Sequence, residues 1–177
     1  RARVKQLNAA GIYAGVYLFS AEWLLRMRFP GDGYPFSGLN NVNGIDDGGG
    51  TRSVTMTAPD KITAIQDACV KKMINTLNDL PNVLWIVSQE APREATWWNN
   101  HLISLVRSLE VKKPLQHPIG YGALDGTSDS ILINSDADWI APTARISPSR
   151  TVGSGNPARK VNINDSDHSY WEIWNDS

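Results

Sequence analysis

The sequence predicts an α/β fold built on a parallel sheet, and three observations lead there. Short apolar runs alternate along the chain with amphipathic stretches of helical period. The first two runs are almost continuously apolar, which suits strands covered on both faces. The last four runs begin at residues 83, 114, 137 and 160, separations of 31, 23 and 23 residues. That is the spacing of βα units, and such alternation implies parallel strands.

Each element has its own sequence argument. Val4 and Leu7 fit the inner face of a helix already under way at Arg1, and Gly11 at C′ stops it. The first strand is read over Ile12–Phe19. Residues 20–59 follow as one long irregular loop rich in Gly, Pro, Asn and Asp, a kind that in compact domains is usually functional or mobile. Ile62, Ile65, Cys69, Met73, Leu77 and Leu80 then recur at helical spacing, with start chemistry at 57–60 and Pro81 as the stop. On that reading Cys69 is an inert core residue.

The second strand is Val83–Val87, running into Ser88-Gln89-Glu90. A second helical stripe joins Trp98, Leu102, Leu105, Val106 and Leu109, with Lys112 and Lys113 favourably placed at its C-terminal end. The third strand is read over Pro114–Ile119, running into Gly120-Tyr121. A weak helix leads to the fourth strand, Ala137–Ala141. A Pro/Gly/Ser/Arg-rich loop over 143–159 leads to the fifth, Lys160–Ile163, which runs into Asn164-Asp165-Ser166-Asp167-His168.

Composition removes several function classes. The chain has 177 residues, enough for one domain with a core. Its 17 basic and 18 acidic residues leave no electrostatic footprint for nucleic acid or an anionic membrane. No apolar run approaches the ~20 residues of a membrane span. One cysteine excludes an intrachain disulfide framework and a Cys-cluster zinc site. Seven tryptophans are an excess that calls for a reason.

Two parallel architectures compete, an open doubly wound sheet and a (β/α)8 barrel. No Gly-rich phosphate turn follows a strand, which argues against the first. The candidate chemistry gathers where strands end, which is where barrel active sites lie.

Glu90 follows a buried strand directly, and a carboxyl at the mouth of an apolar core is expected to hold its proton more tightly, as a general acid must. The alternative is a helix-start carboxylate or a loop ion pair. Asp165 and Asp167, two apart, point the same way if extended, and one of them could face Glu90; an Asx turn or a cation site are the other readings. His117 and His168 at strand ends raise a metal-hydrolase alternative with Asp165. Without a His-x-His or His-Glu-x-x-His pattern, no metal and no other cofactor is expected. No Gly-x-Ser-x-Gly turn surrounds Ser88.

Trp85, Trp98 and Trp139 read as packing residues. Trp23, Trp97, Trp171 and Trp174 fall in or near loops, where an indole can stack on a sugar ring. Asn40, Asn41 and Asn43 add amides. Carboxylates, amides and exposed aromatics together suit a carbohydrate.

Gly11-Ile-Tyr-Ala-Gly-Val-Tyr-Leu-Phe19, Pro35-Phe36, Asn40-Asn-Val-Asn-Gly-Ile45, the stretch from Thr76 to Trp85, Ser88-Gln-Glu90, Lys113-Pro-Leu-Gln-His-Pro118, Ala137-Asp-Trp-Ile140 and Asp165-Ser-Asp-His168 follow one another in an order that resembles the cellulase-like and apiosidase-like (β/α)8 glycoside hydrolases of the retaining clan. The resemblance implies a partial barrel, its strands the third to the seventh, and hydrolysis of O-glycosidic bonds in a polysaccharide or oligosaccharide. It implies Glu90 as the acid/base and Asp165 or Asp167 as the second carboxylate. Gln89, Asn41, His117, His168 and Trp171 would bind the sugar. Gln89 stands where that family has Asn, and an Asp where it has a nucleophilic Glu. A non-catalytic sugar-binding protein on the same fold is therefore the first alternative. A secreted or periplasmic setting is also implied. Because a full barrel takes about 250 residues, a piece of a longer chain is expected.

Overall fold

The computed structural model describes residues 1–21, 34–48, 52–55, 60–123, 129–142 and 160–162. In chain order the elements are α1 (Ala2–Ala9), β1 (Ala14–Ser20), α2 (Arg52–Thr55), α3 (Asp60–Leu77), β2 (Val83–Gln89), α4 (Thr96–Glu110), β3 (Ile119–Ala123), α5 (Asp129–Ile133), β4 (Trp139–Pro142) and β5 (Val161–Asn162). A 3-10 turn, Arg93–Ala95, leads into α4. The sheet is wholly parallel, and its strands lie side by side in chain order without a reversal. Four strands carry it; the described part of β5 adds a two-residue edge.

Helix α1 ends as its glycine dictates. Gly11 has φ +71°, its N–H bonds to the carbonyl of Asn8, and that of Ile12 bonds to the carbonyl of Leu7. This 5→2 and 6→1 pair is the Schellman arrangement, which needs a residue tolerant of left-handed backbone.

Alternation along the strands divides the sheet's two faces. Val83, Trp85 and Val87 of β2, Ile119 and Tyr121 of β3, and Ile140 of β4 join the main core with Val70 and Ile74 of α3 and Trp98, Leu102 and Val106 of α4. Ile86, Trp139 and Ala141 form a separate cluster. Gly120 is required there: a Cβ would lie 2.2 Å from the Trp139 ring. A Cβ on Gly122 would lie 2.5 Å from the Ser88 carbonyl oxygen.

Three sequence expectations change. First, α3 buries Ile62, Gln66, Val70, Ile74 and Leu77, whereas Ile65 and Cys69 are exposed. The inner stripe therefore runs one residue further round the helix, and Cys69 is not core. Gln66 misled the reading because its amide is spoken for: it donates to the Ser53 carbonyl (2.8 Å) and accepts the Trp98 indole N–H (3.1 Å). Second, the third strand is Ile119–Ala123, not 114–119. Pro114 and Pro118 lack an N–H, and the His117 N–H goes to Glu110 instead of a neighbouring strand. Third, part of the loop over 20–59 is closely knit. Residues 34–48 close on themselves through Asp47 N–H to the Phe36 carbonyl (2.9 Å), and 52–55 form α2.

Candidate functional site at the strand ends

Parallel strands in one sheet all finish at the same edge, so Ser20, Gln89 and the ends of β3 and β4 share it, with Ser20 in register with Gln89. Glu90 comes next. It is 7% exposed and is the one non-glycine with positive φ (46°) among the described residues. A side chain in left-handed backbone costs roughly 1–2 kcal/mol, a strain that persists only where the surroundings enforce it and that concentrates at functional sites.

The segment before Glu90 is tied down by hydrogen bonds. The Ser88 hydroxyl donates to Asn99 Oδ1 at 2.5 Å, and Asn99 Nδ2 donates to the Ala95 carbonyl at 3.1 Å; Ser88 and Asn99 are fully buried. The Tyr121 phenol is also buried, which pushes its pKa up against smaller opposing effects from Thr96 and Asn99. Phe19 packs on Trp98 with ring centroids 5.4 Å apart.

A polar chain continues outward from Trp98. Beyond Gln66 and Ser53, the Ser53 hydroxyl meets the Tyr34 phenol at 2.7 Å, and that phenol donates to Asp47 at 2.5 Å. Burial and the Asp47 carboxylate raise the Tyr34 pKa far above its usual value, so the phenol stays protonated. This chain fastens the 34–48 loop to α3 and α4.

Several expected site residues land elsewhere. Asn41 is not free to bind a sugar. Its Nδ2 donates to the carbonyls of Pro35, Ser37 and Ile45, and its Oδ1 accepts the N–H groups of Asn43 and Ile45. It is the internal scaffold of its loop. His117 is corrected more strongly. Ile119 is in register with Trp85, so His117 is level with Val83, at the beginning of β2. Glu90 lies seven residues further along, about 23 Å at ~3.3 Å per residue. Both imidazole nitrogens are occupied, Nδ1 by Glu110 (2.7 Å) and Nε2 by the Leu80 carbonyl (2.9 Å). That arrangement removes His117 from both the sugar site and the metal alternative. Among the described residues no group of three or more His, Cys, Asp or Glu could hold a metal ion.

Gln89 does stay at the edge, beside Ser20 and next to Glu90. Trp85, Trp98 and Trp139 are buried as expected, while Trp97 at the start of α4 is 78% exposed. Asp165, Asp167, His168 and Trp171 lie outside the described residues, as do Trp23 and Trp174.

Sequence reasoning missed Glu110 and Asn99. Glu110 is buried and accepts four hydrogen bonds, from Asn78 Nδ2 and Trp85 Nε1 (both 2.9 Å), His117 N–H (2.8 Å) and His117 Nδ1 (2.7 Å). Burial opposes both charges of the pair. The hydrogen bonds outweigh it, so the Glu110 pKa falls below its usual value and that of His117 rises. The signal was legible: Trp98, Leu102, Val106 and Glu110 follow at intervals of four, so the acid continues the inner face of α4. Asn99 adjoins Trp98 and precedes Leu102 by three, again on that inner side.

No protein-family model, no curated protein and no solved structure matches the chain. Among the described residues, no helix is long and apolar enough to cross a membrane.

Proposed function

We propose that the chain is a segment of a (β/α)8 glycoside hydrolase that cleaves O-glycosidic bonds of a polysaccharide or oligosaccharide, with Glu90 as the acid/base. The observation that carries the reading is Glu90 itself: a buried carboxyl in strained left-handed backbone at the finishing edge of a parallel sheet. The strand order supports the barrel. Crossovers between parallel strands are right-handed in almost all proteins. A sheet whose strands follow one another in chain order, as here, then carries its helices on one face, and the other can curl inward. A doubly wound sheet needs a reversal of order.

In this mechanism the Glu90 carboxylic acid protonates the glycosidic oxygen as the bond to the anomeric carbon breaks. The second carboxylate is Asp165 or Asp167, three and five residues beyond Asn162 at the end of β5. It attacks the anomeric carbon or activates a water. In the first case Glu90, now a carboxylate, takes a proton from the water that releases the sugar, and the configuration is retained. In the second it is inverted. Gln89, beside Glu90, offers an amide donor to a sugar hydroxyl.

The test uses the 177-residue chain against a panel of aryl glycosides and plant polysaccharides. Hydrolysis that Glu90→Gln abolishes supports the reading. Sugar binding without turnover assigns the chain to the non-catalytic alternative.

A further inference from the structure

The Asn99 amide grips both flanks of the strained turn. Its oxygen end holds Ser88, two residues before Glu90, and its nitrogen end holds the Ala95 carbonyl, five residues after. Glu90 and Ala91 are buried in the span between. Few side chains can do this. The grip needs an acceptor and a donor on one short planar group, which Asn has and Asp, Leu or Ala lack. Two further contacts keep Ser88 in place: β1 pairs alongside, with Phe19 in register with Ser88, and the close approach of Gly122 of β3 to the Ser88 carbonyl leaves no room for a side chain there. A left-handed glutamate persists only if its surroundings over-determine it, and this amide bridges the turn directly.

We propose that Asn99 is a positioning residue: through Ser88 and Ala95 it holds the Glu90 turn in its left-handed form and so fixes the direction in which the carboxyl meets the glycosidic oxygen. The proposal rests on the reading of Glu90 as the proton donor and adds the device that aims it. Asn99 touches no substrate in this account. Its removal leaves the carboxyl present but loosely aimed, and a misplacement of about 1 Å can cost on the order of 10²-fold in rate.

The experiment compares Asn99→Ala, which removes both grips, Ser88→Ala, which removes one, and Ser88→Thr, which keeps the hydroxyl. Two readouts are taken on the full chain: kcat and KM on the best glycoside of the panel, and the titration of the Glu90 carboxyl followed by 13C NMR. The expected result is a kcat loss on the order of 10²-fold for Asn99→Ala, a smaller loss for Ser88→Ala, and recovery in Ser88→Thr, with KM nearly constant throughout. The Glu90 titration midpoint moves in both alanine variants and stays at the wild-type value in Ser88→Thr. If Asn99→Ala does not fold, Ser88→Ala decides. Folded alanine variants with wild-type kcat and an unmoved Glu90 titration overturn the proposal. Should Glu90→Gln hydrolyse as well as wild type, the acid/base reading falls, while the titration still tests the grip by itself.

Discussion

At the edge where the strands begin, Glu110 accepts four hydrogen bonds from three side chains and a backbone N–H, in ordinary helical backbone. At the edge where they finish, Glu90 is comparably buried but held in left-handed backbone. The same residue type serves two ends of one sheet in opposite ways. Glu110 pairs with His117 and ties α4, β2, the segment leading into β3 and the α3–β2 turn together. Glu90 costs local strain, and the molecule recruits Asn99 and Ser88 to maintain it. A buried acid therefore does not by itself mark a functional site. What separates the two is the backbone each occupies, ordinary helix for Glu110 and left-handed for Glu90.

Substitutions should split along that line. Glu110→Ala leaves the His117 N–H and Nδ1 and Trp85 Nε1 without their acceptor, while Asn78 keeps the Leu115 carbonyl, and removing one partner of a buried pair costs about 3–5 kcal/mol. Urea unfolding measures it, and a loss below about 1 kcal/mol would place the network among weak surface pairs. Gly120→Ala comes next, at roughly 1–3 kcal/mol, because its Cβ meets the Trp139 ring at 2.2 Å. The smallest effect is at the other edge. Glu90→Gly relieves the strain at φ 46° and removes the contacts the buried residue makes, so the two effects oppose and the net change in stability should stay within about 1 kcal/mol. A large destabilisation there would make Glu90 a structural acid like Glu110.

The pH dependence of stability sharpens the same contrast. The lowered Glu110 pKa contributes stability that is full above its usual value of 4.5 and lost as pH falls through the folded value. The raised His117 pKa contributes stability that is full below 6.5 and lost as pH rises through the folded value. Both are complete between these limits, so the pair stabilises most in mildly acid solution. The gap in unfolding free energy between wild type and His117→Gln should hold steady across that range and narrow as pH rises above 6.5 through the folded His117 value. Curves that stay parallel there would show that the pair does not titrate with folding.

How much of this was readable in advance depends on what each residue's partner is. The sheet was legible because strand runs, helix stripes and βα spacing are local patterns; Gly11 signalled its cap. Glu90 was legible by position, directly after a buried strand. Its strain was not, since left-handed backbone in a non-glycine is imposed by Asn99 and Ser88 through contacts made in three dimensions. His117 misled for the same reason: a histidine near a strand looks alike at either end until the register with Val83 shows which end it occupies. Cys69 was misplaced because Gln66, a polar residue satisfied by Trp98 and Ser53, holds the inner position the pattern assigned to its neighbours. Asn41 looked like a ligand amide and is consumed by its own loop.

The rate of glycoside hydrolysis in Glu90→Gln distinguishes an acid/base from a structural carboxyl at this position. The amide has nearly the same shape and cannot donate the proton. An acid/base at Glu90 means a loss of about 10²–10⁴-fold with unfolding free energy unchanged. Wild-type turnover in Glu90→Gln, or a loss of turnover that merely follows a loss of folded protein, would contradict it.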